Sequence, residues 1–233
     1  MIDPRSVKDF WEARGQQVGK TAFESIANLE PDPALLAKKI SDEMSCVMPK
    51  LALNPDMRVL DLGAGVGQWT VRFAPLVREV VAVEYAAALV SIGENALKEQ
   101  KVLNARFIEC AAEQFTSDEP FDVVFISGLF VYLTDEQVDR LFVNLPTLVR
   151  PGGSLCLRDG TSILPNRHVI RDRWSEVLRA NYSAIYRTRD EYVKMFENHG
   201  FTLQEDCQVF KEGNPLNKYD ETRLRLYIFA RQT

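Results

Sequence analysis

The chain has 233 residues, a length that suits one globular domain with a modest extension. Hydrophobic residues make up 46% of it and charged residues 26%, which are ordinary fractions for a soluble globular protein. The net charge of −5 argues against broad electrostatic binding to nucleic acid, which needs clustered Lys and Arg. The four cysteines are far apart and form no C-x-x-C pair, so they offer neither a zinc site nor a recognisable disulfide framework.

The N-terminal residues lack the apolar core of a signal peptide. No apolar stretch approaches the roughly 18 residues that are needed to span a bilayer. We therefore expect a cytoplasmic protein with reduced thiols and no membrane partner. The expected oligomeric state is a monomer or a homodimer.

The first segment, residues 1–50, is predicted to be mostly helical and to lie ahead of the main domain, where it could form a lid. Within it, a helix over 34–48 is expected from the spacing of its apolar residues. Asp32 is the expected N-cap of that helix and Pro33 its first residue. Residues 51–233 then form the main domain.

In the main domain strands alternate with helices, a pattern that predicts an α/β fold with a doubly wound, mainly parallel sheet. Strands are expected near 58–62, 79–84, 105–109, 121–127, 153–158, 201–210 and 223–231. Helices are expected near 67–76, 86–100, 134–148, 168–179 and 188–199. The last two strands are joined by a non-helical segment, which predicts a hairpin and hence an antiparallel last strand in a seven-stranded sheet.

The most informative motif is a glycine-rich turn at the end of the first predicted strand. Glycines stand at alternate positions, Gly63, Gly65 and Gly67, where the backbone can approach a ligand with no Cβ in the way. The helix that follows offers free N–H groups to the ligand, and the arrangement indicates an adenine-containing cofactor. A dinucleotide fingerprint would need its third glycine at Gln68, and the nearby carboxylate of Asp61 is unfavourable for a pyrophosphate. A nicotinamide dehydrogenase is therefore disfavoured.

The run Asp61-Leu62-Gly63-Ala64-Gly65-Val66-Gly67 resembles the first motif of the class I S-adenosylmethionine (SAM) methyltransferases, D/E-x-G-x-G-x-G. The resemblance implies SAM as the cofactor and S-adenosylhomocysteine as its product. It assigns Glu84, at the tip of the second strand, to the two ribose hydroxyls. A third segment, around Glu113, resembles the segment that contacts the edge of the adenine in members of this family. The cofactor residues expected in this way are Asp61, Gly63, Ala64, Gly65, Gly67, Gln68, Trp69, Glu84, Tyr85, Ala112, Glu113, Gln114, Ser127, Gly128 and Leu129.

The acceptor side is predicted at the ends of the fourth and fifth strands and in an insertion over about 160–187. Asp159 is the candidate for orienting an acceptor hydroxyl or amine, although it could equally cap a turn. His168 is the candidate general base, against the alternative of a surface or structural histidine. The metal-chelating acids of catechol-type enzymes are missing, so no metal is expected. The candidate substrate-binding residues are Trp11, Tyr132, Arg158, Tyr182, Tyr186 and Arg187.

These motifs predict an enzyme that transfers a methyl group from SAM to an oxygen or nitrogen of a small polar acceptor, such as a sugar or another metabolite. One alternative is a methyltransferase that acts on a protein or a tRNA, although the net negative charge disfavours RNA. A second alternative is a SAM-binding subunit without catalytic activity. The sequence leaves the acceptor and the methylated atom open.

Overall fold

The computed structural model describes residues 2–16, 32–176, 178 and 180–232. Residues 17–31, which belong to the segment predicted to be helical, lie outside the described residues. The strands are β1 Arg58–Leu62, β2 Glu79–Glu84, β3 Ala105–Glu109, β4 Phe121–Ser127, β5 Val149–Ser162, β6 His168–Ser175, β7 Ala180–Tyr186, β8 Phe201–Gln208 and β9 Thr222–Arg231. The helices are α1 Pro4–Gln16, α2 Pro33–Leu51, α3 Thr70–Phe73, α4 Ala87–Glu99, α5 Asp135–Leu148 and α6 Arg189–Glu197, and short 3-10 turns lie at Ala74–Leu76, Ala112–Gln114 and Phe130–Tyr132.

Seven strands form the central sheet in the order β3-β2-β1-β4-β5-β9-β8. The pairs among β1 to β5 are parallel, whereas β9 runs antiparallel to both of its neighbours, β5 and β8. The predicted fold class is therefore confirmed, including the antiparallel last strand. The strand order reverses between β1 and β4, and such a reversal opens a crevice at the carboxyl ends of these strands.

The two faces of the sheet carry separate hydrophobic clusters, because every residue of β1 is buried and successive side chains point to opposite faces. Leu60 and Leu62 pack with the apolar face of α5 and with α6. Val59 packs with Phe73 and Phe125 on the other face. Burying a side chain of this size stabilises the folded state by roughly 1.5–3 kcal/mol relative to leaving it exposed. The sheet is therefore a firmly packed support for the crevice at its edge.

Two helix boundaries follow directly from their capping residues. The carboxylate of Asp32 accepts a hydrogen bond from the backbone N–H of Ala34 at 2.8 Å, which confirms it as the N-cap of α2. Thr134 and Gln137 form a reciprocal capping box at the start of α5. By contrast, the helix expected over 67–76 is only four residues of α-helix, Thr70–Phe73, before a 3-10 turn that contains Pro75.

The helix expected over 168–179 is wrong. Residues His168–Ser175 form β6, which pairs antiparallel with β7 as a separate two-stranded sheet. The cross-strand partners include Val169 with Ile185, and such β-branched pairs stabilise a hairpin. Most of β6 is only partly buried or exposed, and its residues show no alternation of apolar and polar side chains that would have predicted a strand. β5 also continues to Ser162, beyond the expected end at 158.

Candidate functional site

A cavity opens at the carboxyl ends of β1, β2 and β4, where the reversal of strand order places a crevice. The turns after these strands supply most of its lining, and α1 supplies one wall. The lining residues are Pro4, Val7, Trp11, Gly63, Gly65, Glu84, Tyr85, Leu89, Ala111, Ala112, Glu113, Ser127, Gly128, Leu129, Tyr132, Leu133 and Gln137. Eleven of these lining residues were expected from the sequence as cofactor or substrate residues.

Glu84 ends β2 inside this cavity with its carboxylate held by the main chain. Its Oε2 accepts a hydrogen bond from the N–H of Gly65 at 3.0 Å, and its Oε1 accepts from the N–H groups of Tyr85 and Ala86 at 3.0 and 2.9 Å. Burial raises the pKa of Glu84, and the three N–H donors oppose that rise by stabilising the ionised form. A carboxylate fixed in this way keeps lone pairs for two hydroxyl donors of a ligand.

The glycine turn divides into two parts with different roles. Gly63 and Gly65 line the cavity with positive φ angles of 79° and 57°, a backbone conformation that favours glycine. Gly67 does not line the cavity. A Cβ on Gly67 would lie 2.8 Å from the Phe107 ring, so this glycine permits close packing of the turn against β3. The N–H of Ala64 donates to the carbonyl of Val83 at 3.0 Å, which fastens the turn to β2.

Three further residues of the motif have contacts within the protein rather than with the cavity. Asp61 is buried and accepts a 2.6 Å hydrogen bond from the Thr70 hydroxyl, and burial raises its pKa to about 7. Trp69 packs in the core between Phe73 and Phe125. Gln68 uses its carbonyl to accept a hydrogen bond from the Arg72 guanidinium. Asp61, Gln68 and Trp69, with Ala64, are absent from the cavity lining and support it from behind.

The segment after β3 brings Ala112 and Glu113 to the cavity, whereas Gln114 does not line it. Gln137 is a lining residue that the sequence analysis missed. Its Nε2 donates to Oε1 of Glu113 at 3.3 Å. The signal for Gln137 was its place in the capping box of α5, which fixes the orientation of its side chain.

The end of β4 contributes Ser127, Gly128 and Leu129 to the lining. Gly128 has φ 64°, and a Cβ there would meet open space. The hydroxyl of Ser127 accepts a hydrogen bond from Nη1 of Arg158 at 2.9 Å. Arg158 does not reach the cavity, because its other terminal nitrogen forms a 2.5 Å ion pair with the buried Glu43 of α2.

Aromatic side chains form the wall between the cavity and the hairpin. The rings of Trp11 and Tyr132 meet edge to face with centroids 5.0 Å apart. The Tyr132 ring also meets that of Tyr182 at 6.1 Å, and the Tyr182 hydroxyl is 2.7 Å from that of Tyr186. Trp11 and Tyr132 line the cavity directly, whereas Tyr182 lines a neighbouring one, and Tyr186 lines neither.

The two candidate catalytic residues lie outside the cavity lining. Asp159 is fully buried, and its carboxylate accepts hydrogen bonds from the N–H groups of Phe130 and Gly160, both at 2.7 Å. Burial raises the pKa of Asp159 to about 7. These contacts make Asp159 a support for the 3-10 turn at Phe130–Tyr132, as in the turn-capping alternative. His168 lies on β6 with its ring centroid 6.0 Å from that of Tyr186.

Arg187, expected to bind substrate, also supports the cavity from behind. It is fully buried and donates to the carbonyls of Phe130 and Leu133 at 2.7 and 2.9 Å. It also forms a 2.8 Å ion pair with Asp135. Through these bonds Arg187 fixes the turn that carries Tyr132 and Leu133 into the cavity. In the sequence Arg187 simply precedes the N-cap of α6, and nothing in that position predicted a buried residue that supports the turn.

The N-terminal helix is closer to the cavity than the sequence indicated. Pro4, Val7 and Trp11 line it from one face of α1, and only Trp11 was expected there. A Cβ on Gly15 would lie 2.6 Å from the Cβ of Ala88, so α1 packs tightly on α4. The signal that the sequence did carry was the apolar spacing of Val7 and Trp11, four residues apart on one helix face.

Residues 59–153 match a family model described as a methyltransferase domain. This stretch contains the glycine turn, Glu84, the Glu113 segment and the end of β4. Residues 59–153 form a methyltransferase domain, in agreement with the resemblance of the glycine turn to the SAM methyltransferases. The cofactor of this family is SAM. The described residues contain no helix long and apolar enough to cross a membrane, and no group of three or more His, Cys, Asp or Glu arranged to hold a metal ion.

The methyltransferase relatives are distant in sequence. The chain is 26% identical over 162 residues to phosphoethanolamine N-methyltransferase 1 of Triticum aestivum, a match that covers 68% of this chain and 31% of that protein. It is 25% identical over 169 residues to nodulation protein S of Rhizobium tropici, covering 72% of this chain and 68% of that protein. The chain therefore spans about a third of the length of the wheat relative.

Solved structures of methyltransferases share the fold. Phosphoethanolamine N-methyltransferase 1 of Haemonchus contortus, in complex with phosphoethanolamine and S-adenosylhomocysteine, superposes with a TM-score of 0.75 at 18% identity. That superposition covers 98% of this chain and 49% of the other. The complex of DhpI with SAH superposes with a TM-score of 0.69 at 18% identity and covers 98% and 96% of the two chains.

Proposed function

We propose that the protein transfers a methyl group from SAM to an oxygen or nitrogen of a small polar molecule. The observation that carries the proposal is the fixed Glu84 carboxylate inside the cavity, beside Gly63 and Gly65. Relatives that are named for small acceptors, such as the phosphoethanolamine methyltransferases, support a small-molecule acceptor here.

The cavity has the donor and acceptor groups that SAM would need. Glu84 would accept hydrogen bonds from both ribose hydroxyls, and the segment of Ala112 and Glu113 would lie along the adenine. Gly63 and Gly65 would allow the amino-acid part to approach the backbone. A Cβ on Gly63 would lie 3.2 Å from three carbons of Leu129, which is closer than an ordinary van der Waals contact. The cavity therefore has no room for a side chain at this position.

Bound SAM would supply an electrophilic methyl group on a sulfonium for in-line displacement by the acceptor. The residues of this chain would orient the acceptor and exclude water, which are the main contributions that a protein makes to such a displacement. Trp11 and Tyr132 form an apolar wall that serves both purposes. α1 would then act as a cover over the bound cofactor, as the N-terminal segment was expected to do.

Isothermal titration with SAM and S-adenosylhomocysteine tests the cofactor half of the proposal. We expect saturable binding that Gly65→Arg abolishes, because the new side chain would enter the cavity where the backbone must be bare. Gly213→Arg is a matched control, since Gly213 also has a positive φ, 76°, but lies outside the cavity lining. No binding at millimolar ligand would refute the proposal.

Transfer of a labelled methyl group into fractionated cell extract tests the acceptor half. Label in the small-molecule fraction is the expected result. Label in the protein or RNA fraction would instead support the alternative of a macromolecular acceptor. Tight cofactor binding with no labelled fraction would favour a SAM-binding subunit without catalytic activity.

A further inference from the structure

A second cavity lies between α1 and the β6–β7 hairpin, next to the one that contains Glu84. Val7 and Tyr132 line both cavities, so the two share a wall. A small molecule that extended past Val7 and Tyr132 would have one end in the first cavity and the other end in the second. The second cavity therefore bears on which acceptor the protein takes.

The second cavity contains a buried arginine. Arg14 is only 4% exposed and lines the cavity, and its Nε has no hydrogen-bond partner. Over residues 2–16, 32–176, 178 and 180–232, no carboxylate lies within 4.0 Å of its guanidinium. Burial lowers the pKa of Arg14, as expected for a cation that has lost water without gaining a partner. A buried charge is normally paired, so this one lacks its counter-ion.

The rest of the lining is suited to a polar group. Tyr182, Asn181 and Ser183 contribute a phenol, an amide and a hydroxyl from β7. Ser6 of α1 also lines the cavity, but its hydroxyl donates to Oδ2 of Asp3 at 3.0 Å. The hydroxyl of Ser183 accepts a 2.9 Å hydrogen bond from the N–H of Asp172, which leaves its own proton free to donate.

Asp172 is the one carboxylate of the described lining, and its side chain is exposed to solvent. The other titratable groups there are the hydroxyls of Tyr132 and Tyr182, and burial raises the pKa of both, so they remain neutral donors. The cavity thus presents one buried cation, Arg14, with neutral polar groups around it and the free hydroxyl proton of Ser183. That combination recognises an oxyanion.

We propose that the second cavity binds the anionic group of the acceptor, a carboxylate, phosphate or phosphonate, with Arg14 as its counter-ion. This proposal rests on the proposed function, because it assumes that the first cavity holds the methyl donor. It narrows the acceptor to a small molecule that carries its nucleophilic oxygen or nitrogen at one end and an anionic group at the other. Arg14 is then a specificity-determining residue.

The test measures anion binding directly, with inorganic phosphate, methylphosphonate and acetate as separate probes. Each is titrated into the protein, with and without S-adenosylhomocysteine, while the midpoint of thermal unfolding is followed. We expect at least one probe to stabilise the wild-type protein saturably. Arg14→Gln should weaken that probe about tenfold or more, and Arg14→Lys should give an intermediate loss because it keeps the charge without the planar fork.

The matched control is Arg5→Gln, which removes an exposed arginine from the same helix and should leave anion binding unchanged. Without any anion, Arg14→Gln should unfold at the same temperature as the wild type or higher, since it removes a buried unpaired charge. A much lower unfolding temperature for both Arg14 variants would show a structural arginine and overturn the proposal.

The outcomes also separate this proposal from the proposed function. If S-adenosylhomocysteine binds but no anion gives a stabilisation that depends on Arg14, the anion site is refuted and the proposed function stands. If S-adenosylhomocysteine does not bind while phosphate stabilises only proteins with Arg14, the cavity is an anion site and the proposed function fails. Equal stabilisation of wild type and Arg14→Gln by every probe would mean binding elsewhere, and would also overturn the proposal.

Discussion

The carboxylate of Glu12 in α1 caps the N-terminus of α4. Its Oε1 accepts a hydrogen bond from the N–H of Ala87 at 3.0 Å, and its Oε2 accepts from the N–H of Ala88 at 3.3 Å. The residue at the N-cap position of α4, Ala86, has no side chain able to do this. The position of α1, which lines the cavity, is therefore tied to the turn that follows Glu84.

Glu12→Ala should lower the free energy of unfolding by about 1 kcal/mol, the usual cost of losing a cap. It should also weaken S-adenosylhomocysteine binding severalfold, because α1 lines the cavity and would lose a contact that holds it there. Urea unfolding and isothermal titration measure the two effects. Asp9→Ala, an exposed change on the same helix, is the control. Unchanged affinity despite lost stability would mean that α1 packs on the domain without covering the ligand.

Glu84→Gln should weaken binding of S-adenosylhomocysteine about 10-fold to 100-fold, because a hydrogen bond to a charged group is worth about 1.5–3 kcal/mol. The amide keeps one acceptor oxygen but replaces the other with a donor. Glu109→Gln is the matched control, since Glu109 pairs with Glu84 in the register of β2 and β3 and is exposed at the strand end. Equal losses in the two variants, measured by isothermal titration, would contradict the assigned role.

Gly67→Ala should destabilise the protein by about 1–3 kcal/mol, because the new Cβ would lie 2.8 Å from the Phe107 ring at a positive φ of 78°. The folded protein should still bind S-adenosylhomocysteine with unchanged affinity, since Gly67 lies outside the cavity lining. Urea unfolding and titration at low temperature separate the two properties. The double variant Gly67→Ala/Phe107→Leu should recover part of the lost stability. Weaker S-adenosylhomocysteine binding with an unchanged free energy of unfolding would instead indicate that Gly67 contacts the cofactor.

Asp61→Asn should make stability less dependent on pH. The pKa of Asp61 is about 7 in the folded protein and roughly 4 in an unfolded chain, so between these values the folded state holds a proton that the unfolded state releases. The contribution of Asp61 to the free energy of unfolding therefore falls by about 1.4 kcal/mol per pH unit between about pH 4 and pH 7. Above that range the contribution is constant.

Urea unfolding at pH 5, 6, 7 and 8 measures this effect. The wild-type protein should lose about 2–3 kcal/mol from Asp61 between pH 5 and pH 7, whereas Asp61→Asn should lack that decline. The asparagine oxygen still accepts from Thr70, so the variant should fold. Glu109→Gln, an exposed acid, should retain the wild-type slope. A slope in Asp61→Asn that equals or exceeds that of the wild type would contradict the raised pKa.

The sequence by itself determined the sheet, the glycine turn and the acid at the tip of β2. Strands 58–62, 79–84, 105–109 and 121–127 were expected at the bounds that the structure has, because strands of a parallel sheet are short, largely apolar runs bounded by turns. Glu84 was found because its position follows from the strand end alone. Local patterns of this kind specify backbone geometry and the residues attached to it.

Only the tertiary structure decided the roles of side chains that meet across distant parts of the chain. Asp159 and Arg187 are ionisable residues that suit a binding site, but both are buried and hydrogen-bonded to backbone groups of the turn after β4. Likewise, β6 became a strand through its pairing with β7, and Arg14 became a candidate anion site through burial against that hairpin. Burial and long-range hydrogen bonding, which fix the electrostatics of each group, depend on contacts that no local pattern contains.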